Sequence, residues 1–230
     1  DPITGRPTTG IKVRDEKAIF ESDHERFNPD AALRYTHSLD VFDFGVSYFK
    51  GTARTPVLAF TAETYDGVSV VPRYDLITQA GLDVQATLGP WLLKFEGTRR
   101  EQQNNWNTRA TGGVEYTLYN FFDTGTDLGV VAEYMYDARG LASPQPLNDD
   151  FGLGLRWTAN DTQSTAFLLG GIYDLETDST ALSLEAERRL GASFKAQLEV
   201  RIQETAGTGD TLANALIDED MVRFRIAYYF

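Results

Sequence analysis

The sequence contains no cysteine, which excludes a disulfide framework and a thiolate metal site. It also lacks any apolar run of about 18 residues, the least that a spanning helix needs. Only 42% of the 230 residues are hydrophobic and the mean hydropathy is negative, so a helical membrane protein is excluded. Nothing in that argues against a β-barrel, whose strands alternate apolar and polar residues and look weakly hydrophobic on average. Positive charge is scarce: 21 Lys and Arg stand against 34 Asp and Glu, a net charge of -13. Nucleic acid is therefore not expected as a partner, since its phosphates attract basic patches. The opening residues, Asp1-Pro2-Ile3-Thr4-Gly5-Arg6, lack a basic segment followed by an apolar one, so a mature form or a fragment is expected.

What the chain does have is period-two alternation. Residues 1–30 are polar and mixed in charge and read as a loop or tail with at most one weak strand. From Ala31 onward the pattern persists to the end, so 31–230 is read as one all-β domain. The clearest hairpin has Leu76, Thr78, Ala80, Leu82, Val84, Ala86 and Leu88 on one face. Gly89-Pro90 turns it, and Trp91, Leu93 and Phe95 return. Eleven strands are counted in this way. Residues 163–173 are apolar on both faces, and their register is open. The connections expected to be short are 38–40, 89–90, 159–162 and 191–193. Those expected to be long or medium are 51–74, 103–107, 120–126, 139–149, 174–179 and 204–217. Short turns on one side and longer loops on the other suit an up-and-down barrel.

The last strand carries the strongest signal. Val222, Phe224, Ile226, Tyr228 and Phe230 share one parity, and Arg223, Arg225, Ala227 and Tyr229 share the other. This stretch resembles the closing strand of the Gram-negative outer-membrane β-barrel superfamily, which typically ends on a phenylalanine. The resemblance implies an all-β, antiparallel, up-and-down transmembrane β-barrel with an even strand number, hence at least 12 strands, the last pairing with the first. It implies outer-membrane lipid and lipopolysaccharide as surroundings, and a barrel-assembly machinery that reads Tyr228 and Phe230. A protein partner or a homo-oligomer stays open. Two aromatic clusters agree with lipid–water girdles: Trp91, Trp157, Phe194, Tyr228 and Phe230 at one end, Tyr48, Tyr74, Tyr136 and Phe151 at the other.

Within such a barrel the polar parity lines the lumen. Its candidate pore-lining residues are Arg34 and Asp83 on early strands, Lys94 and Glu96 on the return of the clear hairpin, and Glu115, Glu133 and Arg156 further on. Glu185, Lys195, Glu199, Arg201, Arg223 and Arg225 complete it on the last three strands, where they can pair across the sheet. Glu115 and Glu133 are read as an acidic patch with little basic compensation. Two readings stand: a charged lining that selects hydrophilic or cationic solutes, or a network that only satisfies charge in a plugged or structural barrel. The connection 51–74 is either a constriction or a hairpin extending the sheet. An enzyme is not expected, because only His24 and His37 are available as bases and neither shows more than sequence adjacency to a serine or carboxylate. No cofactor fingerprint or metal-ligand spacing is present. A soluble ligand-binding β-barrel remains the alternative fold, in which the apolar parity would be the dry interior.

Overall fold

The computed structural model describes residues 12–61, 69–143, 147–204 and 220–230. Its strands, in chain order, are β1 (Lys12–Val13), β2 (Ile19–Phe20), β3 (Ala31–Leu39), β4 (Phe42–Thr52), β5 (Val57–Thr61), β6 (Ser69–Tyr74), β7 (Leu76–Leu88) and β8 (Trp91–Gln102). There follow β9 (Asn105–Leu118), β10 (Asp127–Asp137), β11 (Asp149–Thr158), β12 (Ala166–Asp174), β13 (Thr180–Leu190), β14 (Phe194–Glu204) and β15 (Met221–Tyr228). An eleven-stranded sheet has the order β15-β14-β13-β12-β11-β10-β9-β8-β7-β4-β3. These are the eleven strands read from the alternation, and each neighbour in space is the next sheet strand in sequence. The protein is all-β. Among the described residues no ladder joins β15 to β3, so the closure expected from the sequence, and a twelfth strand, are not seen in this sheet.

The turns follow the residues able to adopt positive φ. Asp40 (φ 53°) and Val41 connect β3 to β4, because aspartate tolerates the left-handed region. Ser38 and Leu39 stay in the strand, although the sequence places them in the turn. Gln103 (φ 52°) and Asn104 (φ 60°) join β8 to β9. That is a two-residue hairpin with both central residues left-handed, where a longer polar connection over 103–107 is expected. Conversely β12 begins only at Ala166, so the turn expected over 159–162 extends to Thr165. Asp161 accepts from Thr165 N at 2.8 Å and Thr165 Oγ1 at 2.7 Å and organises it. Length asymmetry between the two ends of the sheet is therefore weaker than the sequence suggests.

The chain divides into two compact units. The first gathers Asp1–Thr36, Gly45–Leu82 and Thr98–Thr108. Here β6 pairs in parallel with β1 and β2 and antiparallel with β5, making a small four-stranded sheet. The 51–74 connection thus contains a hairpin of its own, and residues 12–20 join that hairpin instead of the large sheet. Tyr74 lies in β6 and stacks on Phe20 with ring centroids 5.0 Å apart, so it belongs to this small sheet. Ala53, Val70, Val71 and Ile77 are buried here. The second unit gathers His37–Phe44, Asp83–Gly97 and Arg109–Phe230. Among its described residues the one buried hydrophobic side chain is Ala86, while dozens of large apolar side chains across the chain stand exposed.

Candidate functional site

In the second unit, register aligns the two parities into rows that run across the strands. One row is Tyr116, Val130, Leu155, Leu169, Leu184, Val200 and Val222, one residue from each of β9 to β15. Val130, Leu155, Leu169 and Val222 in it are exposed. The adjacent row carries Leu153, which is 55% exposed, and Leu182 and Ile202, also exposed. Register also resolves β12: Phe167, Leu169 and Tyr173 join the apolar face, and Leu168 and Ile172 join the other. Aromatic pairs mark one end of the apolar face. Trp91 lies against Tyr116 at 4.5 Å, Trp157 against Phe167 at 5.0 Å and Phe194 against Tyr228 at 5.0 Å between centroids.

The opposite face carries the charge. Its matching row reads Thr117, Gly129, Arg156, Leu168, Glu185, Glu199 and Arg223. Arg156 crosses β10 to hold Glu115. It can do so because Gly129 stands beneath the contact: a Cβ there would lie 3.4 Å from Glu115 Oε1 and 3.5 Å from Arg156 Nε. Glu115 is consequently not part of an uncompensated acidic patch, as the sequence suggests. The signal was present in the glycine, but only the register shows which two side chains meet over it. The Glu133 side chain makes no ion pair or hydrogen bond among the described residues.

On β13 to β15, Glu187 holds Lys195 at 2.8 Å. Glu199 is shared by Arg201 at 2.6 Å and Arg223 at 3.1 Å. Glu185 faces Glu199 directly in register, a like-charge juxtaposition that the two arginines on Glu199 offset. Arg225 sits opposite Gln197. Lys94 and Glu96 lie on β8 with no ion pair between them, Asp83 on β7 and Arg34 on β3. Tyr228 is packed by Phe194, whereas the Phe230 side chain is fully exposed.

Two carboxylates, Asp137 and Asp75, are fully buried among the described residues. Asp137, at the end of β10, has a side chain with 0% exposure. It accepts from Arg139 Nε at 2.9 Å and Ser143 Oγ at 2.8 Å, and lies 3.3 Å from Arg109. In the first unit Asp75, 1% exposed, accepts from Arg73 Nε at 2.8 Å, Gln102 Nε2 at 2.6 Å and Gln103 Nε2 at 3.3 Å. Its only sequence signal is a charge inserted between two apolar runs, and two of its partners, Gln102 and Gln103, come from a distant hairpin tip. Both carboxylates are saturated with donors, so their chemistry is structural. Among the described residues no group of three or more His, Asp or Glu is placed to hold a metal. His37 lies edge-on to Phe44 at 6.1 Å. No known protein family, curated protein or solved structure matches this chain.

Proposed function

We propose that the chain is an outer-membrane β-barrel channel for passive passage of small hydrophilic solutes, leaning towards cations. One observation carries this reading: six consecutive strands, β10 to β15, each expose large apolar side chains on one face while the opposite parity carries ion-paired charge. Contiguous apolar patches of this extent are rare on monomers in water, and exposing them costs about 25 cal/mol per Å². Hydrocarbon removes that cost, and a two-faced strand pattern is what a lipid-facing barrel wall requires. Closure through at least 12 strands, insertion in the outer membrane and assembly through Tyr228 and Phe230 belong to the same proposal. The net charge of -13 and the carboxylates of Glu133 and Glu185, which have no ion pair among the described residues, support the cation preference.

A plugged or structural barrel is the second reading. It is favoured by the way Glu115, Glu187 and Glu199 are each already matched to a base. Planar-bilayer recording on refolded protein separates the two. Discrete conductance steps with cation-selective reversal potentials support the channel. Folded, inserted protein with no steps selects the plugged reading instead.

A further inference from the structure

The charged face of the second unit contains an apolar hollow that passage of hydrophilic solutes does not call for. Two register rows cross it. One is Gly113, Glu133, Gly152, Ile172, Ala181 and Gln203; the other is Glu115, Val131, Gly154, Gly170, Ser183 and Arg201. Gly152, Gly154 and Gly170 present no side chain at its centre, so the floor is bare sheet whose peptide groups are already paired in the ladders. Val131, Met135, Leu147, Leu168 and Ile172 line it. The hollow has a volume of about 560 Å³, within the range of small-molecule sites.

Charge selects the occupant. Arg156 is spent on Glu115, and Arg201 on Glu199. Glu133 is left at the rim with no ion pair among the described residues. A ligand that leaves it unpaired gains nothing from it, and an anion is repelled by it. We propose that this hollow binds a small amphipathic cation: a compact hydrocarbon body on the glycine floor and an ammonium group on the Glu133 carboxylate. The site stands whether or not the same face lines a conducting pore.

The test uses phenethylammonium as probe and the folded full chain. Ligand-observed NMR titration is run in lipid nanodiscs with empty nanodiscs as blank, or in buffer should the chain prove not to insert, an outcome that concerns the membrane reading alone. Saturable binding is expected. Glu133→Gln should weaken it about tenfold, the scale of one lost hydrogen bond to a charged group, and Gly154→Leu should abolish it by filling the floor. A Cβ at Gly154 meets Val131 Cβ at 3.6 Å, and one at Gly152 meets Met135 Cε at 3.6 Å. Both are ordinary contacts, so Gly152→Ala with Gly154→Ala narrows the floor without a clash if the leucine variant misfolds. No saturable binding, or an affinity unchanged by Glu133→Gln or by filling the floor, overturns the site. Phenylacetate binding as tightly as phenethylammonium overturns the choice of a cation.

Discussion

Arg223 on β15 and Glu199 on β14 stand directly opposite one another in register, and Arg223 Nη1 donates to Glu199 Oε2 at 3.1 Å. Glu199 also holds Arg201, so the three form a chain with the carboxylate at its centre. Removing Arg223, whose side chain is 62% exposed, leaves Glu199 still paired, and solvent screens what is lost. Arg223→Ala should cost less than about 1 kcal/mol, and Glu199→Ala more, because it leaves two arginines and no carboxylate. Equilibrium unfolding of both variants and the double mutant checks the order; a larger loss from Arg223→Ala would contradict it.

Asp137 stands at the other extreme. Its buried carboxylate gathers Arg139, Arg109 and Ser143. Asp137→Ala should destabilise by about 3–5 kcal/mol, the scale for breaking a buried pair from one side. Denaturant unfolding with unchanged midpoint would refute that role.

Under the proposed function the apolar parity faces hydrocarbon, which predicts opposite outcomes on adjacent faces. Arginine at Leu153 should cost about 2–4 kcal/mol of insertion free energy, while arginine at Gln85 or Thr117 should be tolerated. Folding titrations into lipid vesicles measure both, and equal costs would mean that the faces are not so divided.

In the turn between β11 and β12, Thr165 donates to Asp161 through its backbone N–H and then its hydroxyl, and these bonds hold the Asp161 carboxyl below its ordinary value. A depressed folded value stabilises the fold above the unfolded pKa of about 3.9, and that contribution is lost as pH falls through the lower folded value. Thr165→Val removes the hydroxyl alone. Its destabilisation relative to wild type should be constant at neutral pH and shrink below about pH 4. A difference independent of pH would show that the hydroxyl acts by packing.

Phe230 exposes its whole side chain, 6.2 Å from the Tyr228 ring between centroids. Deleting it should leave refolding in detergent nearly unchanged. Under the proposed function it should sharply reduce insertion in cells, because a recognition signal is lost more than packing. Equal losses in both assays would assign Phe230 to stability instead.

The eleven strands and the division of their faces were legible in the sequence because alternation is local: each side chain's face follows from residues two positions away. That is why β14 and β15 appear where Phe194, Ala196, Leu198 and Val222, Phe224, Ile226 alternate. Residues 163–173, apolar on both parities, carried no such signal, and their face was decided by pairing with β11 and β13. The hairpin of β5 and β6 and its parallel neighbours lay beyond local pattern too, since parallel partners come from far along the chain. Most of all, the meeting of Arg156 with Glu115 over Gly129, and the bare floor beside Glu133, depend on how strands slide past one another. Sequence by itself determined which side chains share a face. Only tertiary structure decided which of them touch, because register is set by the summed pairing of whole strands and not by any residue's immediate neighbours.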